Sequence, residues 1–172
     1  MNIIVYPPGS GGNLVSAVID SKNCYYRNGH FETYRRRLRE NAVESMSDED
    51  KDNYITKMGN LFLSVPSHVI DYHIKRNHDF ILIAPVTDIE INWCINRFSK
   101  IHPDVKQLVQ GTESSFKEFV TNGKKHTDKV ITVEEIYTGK LIERLKEYVS
   151  TPLDTHLYDT WLEADINQKP KE

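Results

Sequence analysis

Several things are scarce in this sequence, and each scarcity excludes something. No stretch approaches the roughly 18 consecutive apolar residues of a membrane-spanning helix, so membrane insertion is not expected. Only two cysteines occur, Cys24 and Cys94, far apart and without CxxC spacing. That rules out a disulfide framework and a cysteine-rich metal module, and suits reduced thiols in a reducing compartment. Charge of one sign is also scarce: 22 Lys and Arg against 25 Asp and Glu give a net charge of -3. No basic surface for nucleic acid follows from that balance, and nucleic acid is not an expected partner. No internal repeat or low-complexity run is present. The opening MNIIVYPP has no basic leader, so a cleaved signal peptide is not expected and a cytoplasmic location is.

What is present fits one globular domain. The chain has 172 residues, 38% of them hydrophobic, enough for a single core over residues 1–166 with a frayed tail at 167–172. Short apolar runs read as strands at residues 2–6 (NIIVY), 60–65 (NLFLSV), 80–84 (FILIA) and 129–133 (KVITV). Helical patterns fall between them, at residues 13–20, 31–41, 69–77, 89–101 and 112–121, then at 138–149 and 153–164. A further helix starts at Ser47, a capping serine before Asp48, Glu49 and Asp50, and ends near Gly59. Asp88 reads as the cap of the helix over 89–101. Strands alternating with amphipathic helices predict an α/β fold of three layers: a mainly parallel sheet with helices on both faces. Ligands of such sheets sit at the carboxyl ends of the strands. The loops at residues 7–12, 66–68, 85–88 and 134–137 should therefore build the site.

The first of these loops is the most informative. Gly9, Gly11 and Gly12 let the backbone wrap its N–H groups around an anion, and the following helix adds its positive end. Ser10 supplies a hydroxyl, and Asn13 a side-chain amide at the helix start. The string PGSGGN matches the Walker pattern PGSGKT except at its last two places. Gly12 stands where a lysine would reach the outer phosphates, and Asn13 where a hydroxyl would hold magnesium, which disfavours a nucleotide kinase or hydrolase. A strand-to-helix turn that binds nothing is the plainer alternative.

The order of motifs resembles the P-loop sulfotransferases. Tyr6-Pro7-Pro8-Gly9-Ser10-Gly11-Gly12-Asn13-Leu14 is similar to their opening YPKSGTTW, with one extra residue before the serine. Ser67-His68 follows a strand as their "tHlp" histidine does. FILIAPVTDIEIN is similar to the strand and RNPxDxxxS segment, with Pro85, Asp88 and, in the serine's place, Asn92. VITVEEIY and YDTWLEADIN follow in the positions of "yEdL" and a tryptophan region. The resemblance implies a P-loop fold and a nucleotide site for PAPS (3′-phosphoadenosine-5′-phosphosulfate) or its product PAP. Gly9, Ser10, Gly11, Gly12 and Asn13 would hold the 5′ end, and Asp88 and Asn92 would lie near the 3′ end. His68 would be the base that takes a proton from an unidentified hydroxyl or amine acceptor. The family's loop lysine maps to Gly9, its 3′-phosphate arginine to Ala84, and no basic RKG-type motif is evident.

Other residues offer chemistry outside these motifs. His68, His73 and His78 are spaced by five, which on one continuous helix turns each by about 140° from the last and denies them a shared face. No metal site is expected from them. The basic run Arg35, Arg36, Arg37 and Arg39, with Arg27, reads as a solvated face, as a substitute source of cations or as an RNA contact, with the solvated face preferred, and Lys124-Lys125-His126 as a solvated turn or a flap over a ligand. Trp93 and Trp161 suit the core, Tyr6 a ligand contact, and Glu134 or Glu135 a brace for the loops. Two function classes remain open: a sulfotransferase-like enzyme, or a catalytically inactive domain of the same fold that binds a nucleotide or small anion.

Overall fold

The computed structural model describes residues 3–21, 24–27, 30–33, 47, 49–50, 63–66, 70–101 and 112–165. Strand β1 (Ile3–Tyr6) is buried at all four positions. It lies between β4 (Leu63–Pro66) and β5 (Ile81–Ala84), and β6 (Val130–Thr132) flanks β5. The sheet order is β4-β1-β5-β6 and every pair is parallel. Register runs through Tyr6↔Pro66, Val5↔Leu82 and Ala84↔Thr132, so all the carboxyl ends fall at one edge.

Period-two alternation sorts the strand residues onto two faces. Ile4, Tyr6, Ile81, Ile83 and Ile131 share one core cluster with Leu14, Val15 and Val18 of α1 (Gly12–Ile19). The same cluster takes in Ile91 and Cys94 of α3 (Asp88–Ile101), Leu141 and Leu145 of α6 (Leu141–Tyr148), and Tyr158 and Trp161 of α7 (Thr155–Asp165). Ile3, Val5, Leu82 and Ala84 face the other way, against Phe119 and Val120 of α4 (Thr112–Lys124), with Ile74 of α2 (Ile70–Lys75) packed beside them. The chain is thus α/β, with a parallel sheet and helices on both faces. No helix of the described residues is long and apolar enough to cross a membrane.

The structure departs from the sequence expectations in a few places. Phe31–Thr33, expected to begin a helix, belong to β3 (His30–Thr33), which pairs antiparallel with β2 (Cys24–Arg27) in the register Arg27↔His30. The rest of that expected helix, with Arg35, Arg36, Arg37 and Arg39, lies outside the described residues. Val133 does not end a strand but opens a short helix, α5 (Val133–Tyr137), because Thr132 caps it through a reciprocal capping box with Glu135. Asp88 does not cap α3; Thr87 does, its hydroxyl accepting the Glu90 backbone N–H at 3.2 Å. Ser47 does cap as expected, accepting the Asp50 N–H at 3.1 Å.

Candidate functional site

From β1 the chain moves to β4 on one side; from β5 it moves to β6 on the other. The order therefore switches between β1 and β5, where open α/β sheets place their ligands. The glycine loop after β1 and residues 85–87 after β5 flank that point.

The loop's glycines are demanded by packing as well as by any ligand. Gly9 has φ 77, and a side chain there would drive its Cβ into the Cys94 carbonyl oxygen of α3. Gly12 lies flat against the Tyr6 ring, with no room for a Cβ. Gly11, at φ 88, is the N-cap of α1 and gives the helix no side-chain cap. Ahead of the first intrahelical bond, Val15 N–H to Gly11 O at 3.1 Å, the amides of Gly12, Asn13 and Leu14 make up the helix's donor end. The first turn of α1 carries no acid.

The Ser10 hydroxyl turns inward in this structure. The residue is 0% exposed, and its Oγ donates to the Pro7 carbonyl at 2.7 Å, closing the turn from within. Asn13 receives the Tyr6 hydroxyl on Oδ1 at 2.6 Å, so its ligand-facing chemistry is that of the amide donors. Tyr6 is likewise committed to the loop, with its ring buried.

Glu90, which sequence reasoning passed over, dominates the neighbouring loop. It is 4% exposed, and its Oε2 accepts from Val86 N–H at 2.7 Å, Thr87 N–H at 2.8 Å and Thr87 Oγ1 at 3.1 Å. Its Oε1 accepts from Glu134 N–H at 2.8 Å, tying the start of α3 to the start of α5. Glu135 repeats the pattern, taking the Thr132 N–H at 2.8 Å while Arg144 Nε lies 2.9 Å from its other oxygen. Glu135 is thus one of the braces expected from the sequence. A Thr-x-x-Glu spacing ahead of each helix was the signal for both boxes.

Asp88 and Asn92 are exposed and one helical turn apart on α3. Asp88 pairs at 2.8 Å with Lys117, whose ammonium is held above the usual lysine range by hydrogen bonds first to Asp88 and then to Glu113. α3 meets the glycine loop at Cys94, whose carbonyl oxygen lies against Gly9. Burial, then the Glu90 carboxylate, raises the Cys94 thiol far above its ordinary range, so it is not a thiolate nucleophile. His68 lies outside the described residues.

One turn beyond Cys94, the Arg97 guanidinium stands 5.3 Å from the Trp93 ring, 5.8 Å from Trp161 and 5.9 Å from Tyr137. Its Nη1 donates to the Tyr137 hydroxyl at 2.9 Å. Trp161 is in the core as expected, while Trp93 is half-buried and packs edge-on against Tyr137. Lys124-Lys125-His126 are exposed in the turn that precedes β6, at the amino edge of the sheet, and so do not close over a ligand at the carboxyl edge. Among the described residues, no group of three or more His, Cys, Asp or Glu converges to hold a metal. Comparison with protein-family models, with curated proteins and with solved structures finds no match to this chain.

Proposed function

We propose that this chain is a P-loop-type protein of sulfotransferase-like plan that seats the anionic end of a small phosphorylated or sulfated ligand at the start of α1. One contrast carries the reading. Four described helices directly follow strands at the carboxyl edge of the sheet, and α2, after β4, carries Asp71 in its first turn. The starts of α3 and α5 are filled by the chain's own carboxylates, Glu90 and Glu135. The start of α1 has neither a side-chain cap nor an acid in its first turn, and it lies at the switch point. A helix end in that state favours an anion through its N–H groups and its dipole.

The same arrangement sets the ligand class. Val86, Thr87, Thr132 and Glu134 have already given their amides to carboxylates, and Asp88 and Glu134 add negative charge outside. A second phosphate directed toward β5 and β6 would face the Glu90 and Glu135 carboxylates, which already hold those four amides, and the exposed Asp88 and Glu134. The ligand best suited is one with a single anionic end, held without chemistry, as in the inactive binding-domain reading.

The second reading is PAPS-dependent sulfuryl transfer to a hydroxyl or amine acceptor. It draws support from motif order: β4 ends at Pro66, beside Tyr6, two residues before His68, and Asp88 follows β5. In that reading His68 takes the acceptor proton and PAP leaves.

Thermal unfolding with sulfate, AMP, PAP, and ATP with magnesium tests both. A ligand at about 100 times its Kd adds about 2.7 kcal/mol, a rise of roughly 5–10 °C for a domain of this size. Equal shifts with AMP and PAP support a single anion seat. A shift with PAP alone supports the PAPS reading and justifies an acceptor screen. No shift with any of the four sinks both.

A further inference from the structure

The amino edge of the sheet holds a pair of histidines that the glycine loop does not use. Helix α2 ends at Lys75, and the chain turns back through Asn77, whose φ is 52. The turn is closed by Asn77 N–H to Ile74 O and His78 N–H to His73 O, both at 3.0 Å. Because residue 78 is off the helix, the 140° argument against a shared face does not apply to it. His73 Nδ1 and His78 Nδ1 meet at 3.1 Å, with ring centroids 5.3 Å apart and planes tilted by 50°.

Two ring nitrogens at that separation have two uses. One can donate a hydrogen bond to the other, or both can turn lone pairs toward one cation. Imidazole nitrogens bound to a tetrahedral zinc at roughly 2.0–2.1 Å lie about 3.3 Å apart. The observed spacing needs to widen by only a few tenths of an ångström.

We propose that His73 and His78 form a two-histidine site for a late first-row divalent cation, with Zn2+, Ni2+ and Cu2+ as its class. Water completes the coordination, since no third His, Cys, Asp or Glu converges among the described residues. Imidazole pairs prefer these ions to Mg2+ or Ca2+, which take oxygen ligands. The proton balance is simple. In the metal-free pair one ring carries its hydrogen on Nδ1 and uses it in the 3.1 Å contact. When the cation binds, that Nδ1 proton leaves and Nε2 of the same ring takes one up, so the ring stays neutral and bonds through Nδ1. The site would clamp the end of α2 to the segment that enters β5, beside the Asp79–Lys129 ion pair.

The test is calorimetric titration of chelator-treated protein with Zn2+, Ni2+ and Cu2+, with Mg2+ as a control. The sequence has seven histidines in all, so location must be tested along with affinity. His73 is 3% exposed and its replacement can unfold the domain, so the informative variant is His78→Gln at the half-buried partner. The expected result is one equivalent bound, Cu2+ tightest and Mg2+ silent, and at least a tenfold loss in His78→Gln. His126→Gln, at an exposed turn, should leave binding unchanged. A nitrogen-15 spectrum should move the Nδ1 signals of both rings. No binding by the wild type up to about 1 mM cation, or binding untouched by His78→Gln, overturns the proposal.

Discussion

The Glu90 carboxylate accepts the backbone N–H of Glu134 at 2.8 Å, joining two helix starts that are 44 residues apart in sequence. The same carboxylate closes the capping box of its own helix. One buried anion therefore fixes the relative placement of the loops that follow β5 and β6.

Removing that anion should be costly. Glu90→Ala leaves four donors without their acceptor in a buried site, a loss of about 3 kcal/mol. Tm should fall by roughly 6–12 °C. Glu90→Gln, which keeps one acceptor oxygen, should lose less. A change below 1 °C for Glu90→Ala in a thermal melt would show that the clasp contributes nothing.

Gly9 makes a second prediction. The position combines a left-handed backbone with contact against the Cys94 carbonyl oxygen. Gly9→Ala should cost about 2–4 kcal/mol in chemical denaturation, more than helix propensity alone explains. This loss is expected in the absence of any ligand, because the glycine is needed for loop-on-helix packing.

Ser10→Ala separates the turn from the anion seat. The Ser10 hydroxyl bonds inward to Pro7, so its removal should cost about 1 kcal/mol of stability. Affinity for sulfate or AMP, measured by calorimetry, should stay within about twofold. A tenfold loss of anion affinity with little loss of stability would place the hydroxyl in the ligand site instead.

Much of this was legible from the sequence. IIVY and ILIA are short, fully apolar, β-branched-rich runs, which suits buried strands, and the structure pairs them in parallel at the centre of the sheet. The β2–β3 hairpin was readable but missed: CYYR and HFET flank Asn28-Gly29, a strong hairpin signal that the helix-favouring run after it obscured. Glu90 was missed because its partners come from two loops, and only its Thr87 half is local in sequence. The roles of Ser10 and Tyr6 depended on which way a side chain turns, which spacing does not encode. His78 was misjudged because the regular helix stops at Lys75 rather than continuing past it.

The pH dependence of stability follows from His73. Its folded pKa, about 4, lies below the ordinary histidine value of 6.5, so the unfolded chain takes up a proton more readily than the folded one. Stability is therefore fully present above about pH 6.5 and declines as pH falls toward 4. The gap of about 2.5 pH units corresponds to about 3 kcal/mol at most. In metal-free protein, denaturation midpoints at pH 7.0, 6.0, 5.0 and 4.5 should trace that decline. His73→Phe keeps an aromatic ring in the buried position without the proton, and should flatten the part of the slope between pH 6.5 and 4. Carboxylates begin to titrate at the acid end, so the difference between the two proteins is the quantity to measure. If the two profiles run parallel down to pH 4.5, the buried imidazole is not what couples folding to protons in this range.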